Sequence, residues 1–117
     1  MHHSKHLARL LLAGVLLCSA SLSAAPLKLL GLDDMTCATW NAHKGDDEWR
    51  EPYVQWVRGF LTGHNYANQS GQVAEVSRGT VAMYVDRHCA ERASSTVANA
   101  AMRMSDQYSG RNAPITR

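Results

Sequence analysis

Three kinds of side chain in this sequence have types and spacings that could do chemistry: cysteines, histidines and a short run of acids. Cysteines stand at Cys18, Cys37 and Cys89, and none forms a C-x-x-C redox pair. His88 precedes Cys89, an arrangement that could activate a thiolate, although a disulfide from the same cysteine is the plainer expectation. His43, His64 and His88 lack the i, i+4 histidine pairing of zinc hydrolases. His64 falls on an apolar helix face, where a satisfied, partly buried imidazole is expected rather than acid–base or metal chemistry. Asp46, Asp47, Glu48 and Glu51 cluster, but a calcium loop needs alternating ligands and an internal turn glycine. Helix capping and solvation are the expected roles of these acids. No G-x-S-x-G elbow, P-loop or H-E-x-x-H stretch occurs. The expectation is therefore no enzyme, no catalytic residue, no cofactor and no bound metal.

What must position these residues begins with the chain's start. Lys5 and Arg9 give a basic opening, Leu10 to Leu17 is an apolar run, and Ser19 to Ala25 is rich in small residues. Basic, apolar, small is the order of a secretory signal peptide. The apolar run is shorter than the roughly 20 residues that span a bilayer. Cleavage is expected after Ser23, with Ala20 as the alternative and Pro26 disfavouring a cut after Ala25. A lipoprotein anchor at Cys18 would want a small residue before it, where Leu17 stands. Export of residues 24–117 follows, with no stable membrane insertion once the leader is gone.

Export leaves about 94 of 117 residues, a single small domain. It also leaves two cysteines in an oxidising compartment, and they admit one intramolecular pairing. A Cys37–Cys89 bridge would close a loop of about 50 residues, for about 4 kcal/mol in the chain-entropy treatment. Two free thiols or a bridge between chains are the alternatives. Without Lys5 and Arg9 the twelve basic residues become ten, against ten acidic. The basic residues are scattered and not interleaved with aromatics, so no nucleic-acid partner is expected.

Periodicity supplies the elements. Residues 24–32 read as an extended arm packing on the domain. Asp33 or Asp34 would cap a short helix from Met35 to His43, ending near Gly45. Asp46 or Asp47 would cap the next, with Pro52 tolerated only near its start. Trp49, Tyr53, Trp56, Val57, Phe60, Leu61 and His64 recur at three- and four-residue spacing to about Asn65, the strongest amphipathic signal. Residues 67–71 read as a loop. Val73, Val76, Thr80, Val81, Tyr84, Val85 and His88 predict a third helix to about Cys89. Ser94, Ser95 or Thr96 would cap a fourth, with Val97, Ala101, Met104 and Tyr108 on one face and Gly110 at its end. The expectation is an all-α bundle of about four helices over residues 33–110, with 111–117 a polar tail.

The aromatic content of the second helix exceeds what a domain this small readily hides. Trp49, Tyr53, Trp56, Val57, Phe60 and Leu61 are therefore the candidate surface for a homodimer or a client protein, with core packing as the alternative for most of them.

Three stretches carry a resemblance: Thr36-Cys37-Ala38-Thr39-Trp40, the run from Trp56 to Gly63, and Asp86-Arg87-His88-Cys89. With a leader ahead of them, they resemble the small exported helical proteins around the HdeA/HdeB acid-stress chaperones. The likeness is to the uncharacterised branch, since the exported chain keeps only Lys28 and Lys44 and its second helix is more aromatic. The resemblance implies a periplasmic all-α protein with one disulfide, carried here to Cys37 and Cys89. It also implies an acid-activated holdase, in which a dimer loosens at low pH and binds unfolding clients through apolar helices. The competing expectation is a specific periplasmic binding protein, such as a Tai-type immunity protein against a secreted toxin or a subunit of an envelope assembly.

Overall fold

The computed structural model describes residues 25–110. The signal-peptide reading of residues 1–23, Cys18 included, and the polar-tail reading of 111–117 lie outside the described residues. Four helices follow in order: α1 (Cys37–Ala42), α2 (Asp47–Ala67), α3 (Arg78–Glu91) and α4 (Val97–Tyr108). A 3-10 turn, Gln69–Gly71, lies between α2 and α3. The described residues form no strand, only a single antiparallel bridge between Thr36 and Thr96. The all-α reading is thus correct.

Each helix begins where a short polar side chain satisfies a free amide. Thr36, Asp46, Ser77 and Thr96 accept from the backbone N–H three residues on, in Thr39, Trp49, Thr80 and Asn99. Asp46 and Thr96 were among the expected caps. Asp33 and Asp34 are not caps, and α1 starts later than Met35. Asp34 instead accepts from the Thr36 N–H at 2.9 Å and from the hydroxyls of Thr36 and Thr39, so it holds the capping threonine in place. Gly45, at φ 85°, turns the chain between α1 and α2 in a conformation that side chains with a Cβ resist.

The third helix also starts later than expected. Val73 and Val76 are buried, as a helical stripe would have them, but they lie on non-helical chain before Ser77. The cause is Asn65 near the end of α2. Its side chain accepts from the Val73 N–H at 2.7 Å and donates to the Val73 carbonyl at 2.9 Å. Both backbone groups of Val73 are thereby spent outside a helix.

The core lies where α2 meets α3 and α4, with α1 against α3. Trp40, Val57, Val81, Val85, Val97 and Met104 are fully buried there. The Cys37–Cys89 disulfide joins α1 to α3, with Cα atoms 5.0 Å apart and both side chains in the core. Next to it the chain before α1 meets the start of α4. Cys37 N–H donates to the Ser95 carbonyl at 3.0 Å, and Val97 N–H donates to the Met35 carbonyl at 2.7 Å. The two ends of the fold are thus sewn together covalently and through the backbone.

The arm departs from expectation. Residues 25–32 have no regular structure, but most of the arm does not pack inward. Leu27 is 69% exposed and Leu30 89%, and Leu32 alone among the arm's leucines packs partly on the core.

Candidate functional site

The candidate surface residues on α2 divide into two lines one residue apart. Arg50, Val54, Val57 and Leu61 follow the i, i+4, i+7, i+11 pattern and are buried. Trp49, Tyr53, Trp56 and Phe60 follow the same pattern one step round the helix. Tyr53 is buried, and the other three are half-buried, packed on the edge of the core. Val57, Leu61 and Tyr53 therefore belong to the closed interior. Trp49, Trp56 and Phe60 form the part of the candidate surface that reaches solvent.

Polar and stacking contacts to residues 30–43 hold this aromatic line. Trp56 Nε1–H donates to the Leu30 carbonyl at 2.8 Å, and its ring stacks on Phe60 with centroids 5.7 Å apart. Tyr53 O–H donates to the Asp34 carbonyl at 2.7 Å. Trp49 lies between two rings, His43 at 3.4 Å and Tyr53 at 4.9 Å between centroids. His43 is itself fixed by its Nδ1–H donating to the Thr39 carbonyl at 2.9 Å. Leu27, Leu29 and Leu30, in the arm whose Leu30 carbonyl Trp56 contacts, are exposed.

Asp34 meets this edge at Tyr53 and orders the start of α1. Hydrogen bonds from Thr36 and Thr39 hold its carboxyl down at about 2, well below the ordinary 3.8. Away from this edge, Glu51 is likewise held below its ordinary value by Gln55 and Arg78. Glu51 thus ties α2 to the start of α3 through Arg78. Asp46 caps α2. Asp47 and Glu48 lie in the first turn of α2, and no group of three or more potential metal ligands gathers among the described residues.

A buried polar cluster escaped the sequence reading. Arg50 is only 5% exposed. Its guanidinium donates to the Trp40 carbonyl at 2.9 Å and pairs with Asp86 at 2.9 Å, lying 4.0 Å over the Trp40 ring. Trp40 Nε1–H donates to the same Asp86 oxygen at 2.9 Å. Three helices, α1, α2 and α3, meet at this one carboxylate. The guanidinium Nε has no partner, so the cluster depends on Asp86 for its charge balance. The available signal was a charged residue in line with Val54, Val57 and Leu61 at helical spacing.

The histidines hold structure. His64 Nε2–H reaches the Gly71 carbonyl at 3.2 Å and the Ser109 hydroxyl at 3.3 Å, linking α2 to the end of α4. His88 is buried and shares a 2.7 Å hydrogen bond with Ser95. Burial first, then Arg92 and Arg103, hold its pKa below the ordinary imidazole value. Cys89 is in the disulfide, so His88 has no thiol to activate. No helix among the described residues is long and apolar enough to cross a membrane.

No protein-family model matches the chain, and neither a curated protein nor a solved structure is similar enough to count as a match.

Proposed function

We propose that this protein is a periplasmic, acid-responsive holdase: it keeps its apolar α2 face partly covered at neutral pH and uncovers it to unfolding proteins in acid. The observation that carries the reading is the aromatic edge of α2, closed by a segment whose anchor, Asp34, is ionised in the folded state.

The sign of each shift supports it. Asp34 has a folded value of about 2 against 3.8 ordinarily. Its contribution to stability is present above 3.8 and is lost as pH falls through about 2. Glu51 is shifted the same way. His88, held neutral by burial, stabilises the fold above its ordinary 6.5 and loses that contribution as pH falls. All three groups bind protons more readily in the opened chain. Below about pH 3 most of the exported chain's carboxylates are protonated, Asp34 in the folded state only nearer 2, while its Lys and Arg stay charged. The resulting positive charge favours expansion and keeps a bound client soluble. The disulfide limits that expansion to a loosening of one edge.

The test is light scattering of an acid-labile client shifted to about pH 2–3, with and without the oxidised protein. Suppression at near-stoichiometric amounts is expected. No suppression, from protein folded at neutral pH, overturns the reading. A second reading, a specific binding protein such as an immunity protein, draws on exposed Leu27 and Leu30, which are offered without acid. It requires capture of one partner at neutral pH by the wild type and loss of that capture in Leu27→Ser, Leu30→Ser.

A further inference from the structure

A groove of about 340 Å³ runs between α4 and the end of α3. Its walls carry three guanidinium groups, from Arg87, Arg92 and Arg103, against one carboxylate, Glu91. Glu91 pairs loosely with Arg87 at 3.3 Å and Arg92 at 3.4 Å. These side chains are about half exposed, and ion pairs of that kind contribute little and exchange readily. Arg103 has no partner among the described residues. Gln107 accepts from the Tyr84 hydroxyl at 3.0 Å through Oε1, which leaves its amide N–H groups to donate.

The groove therefore presents donors in excess of acceptors and a surplus of positive charge. Two of its cations act on the same floor. Arg92 and Arg103 both add to the burial that holds His88 below its ordinary value, against Glu91, and both work against the burial, Tyr108 and Asp106 that raise Tyr84. The wall beside them is apolar, made by Tyr84 and Tyr108 with ring centroids 6.0 Å apart. A ligand suited to this lining has several acceptor oxygens, about two negative charges and an organic body of modest size.

We propose that the groove binds a small organic phosphate ester, its phosphate taken by Arg92 and Arg103 and its organic part laid against Tyr84. Guanidinium forks match phosphate oxygens two at a time. A phosphate monoester carries about −1.5 to −2 charges at neutral pH, in balance with the groove. Glu91, already between Arg87 and Arg92, is an internal competitor that the phosphate displaces.

Calorimetric titration of the oxidised protein at neutral pH tests this with three probes: phenyl phosphate, inorganic phosphate and benzoate. Phenyl phosphate is expected to bind most tightly and benzoate least. Arg103→Gln is expected to weaken phenyl phosphate about tenfold, the loss of one charge-assisted contact. Glu91→Gln is expected to strengthen it by removing the competitor. Arg58→Gln, which lines a different groove on α2, is expected to leave it unchanged. Circular dichroism verifies each fold, and Arg103→Lys, which keeps the charge without the fork, is expected to weaken binding if Arg103→Gln misfolds. No saturable binding of phenyl phosphate, or binding indifferent to both Arg103 and Glu91, overturns the proposal. Equal binding of inorganic phosphate overturns the ester assignment, and equal binding of benzoate overturns the phosphate.

Discussion

Two lines of side chains run side by side along α2, about 100° apart around the helix axis. The inner line, Arg50, Val54, Val57 and Leu61, is buried against α3 and α4. The outer line, Trp49, Tyr53, Trp56 and Phe60, is larger and more aromatic, yet three of its four members stay half-exposed. Apart from Arg50, which pairs with Asp86, the inner line is held by apolar packing, which changes little with pH. The outer line is held by hydrogen bonds and stacking to residues 30–43, and that segment is organised around one ionised carboxylate, Asp34. Two surfaces of one helix thus answer to different forces. On the proposed reading, acid loosens the outer contacts while the disulfide and the inner packing keep the bundle together.

The largest expected effect is on the inner line. Leu61→Ala removes a core side chain and should destabilise the fold by about 2–5 kcal/mol, read from the urea midpoint. Phe60→Ala, one residue away on the outer line, should cost about 1 kcal/mol, because only part of its apolar area is buried. Equal losses would erase the distinction between the two lines.

Asp86→Asn comes next in size. Asparagine can still accept from Trp40 but no longer balances Arg50, and a loss of about 1–3 kcal/mol is expected at neutral pH. Asp86 is 41% exposed, which places this below the cost of breaking a fully buried pair. A neutral result would mean that Arg50 finds solvent easily and that the inner line is less closed than its burial implies.

Asp34→Asn should have the smallest effect at neutral pH and the most telling shape. The wild type loses a contribution as pH falls from 3.8 through about 2, and the variant should lack that slope. Fluorescence-detected unfolding against pH reads this directly. A wild-type slope retained in the variant would take Asp34 out of the acid response.

Much of this organisation was legible in the sequence. Polar residues ahead of apolar periodicity located α2 and α4, and the two cysteines left after the expected leader led to the Cys37–Cys89 bridge. What was illegible depended on contacts far apart along the chain. Val73 and Val76 fit a helical stripe, and only Asn65, eight residues before Val73, reveals that they are not helical. The Trp40–Arg50–Asp86 cluster unites residues from three helices, so no local window contains it. The sequence grouped Trp49, Tyr53, Trp56, Val57, Phe60 and Leu61 as one candidate surface, and Tyr53, Val57 and Leu61 could not be assigned inward before the bundle's facing sides were known.

The most direct measurement compares the wild type with Trp56→Ala, Phe60→Ala in suppressing the scattering of an acid-labile client at about pH 2–3. Suppression by the wild type, lost in the double variant although both fold at neutral pH, is the expected result. Suppression that the double variant retains in full, or none from the wild type, would contradict the outer line's role as the acid-released binding surface.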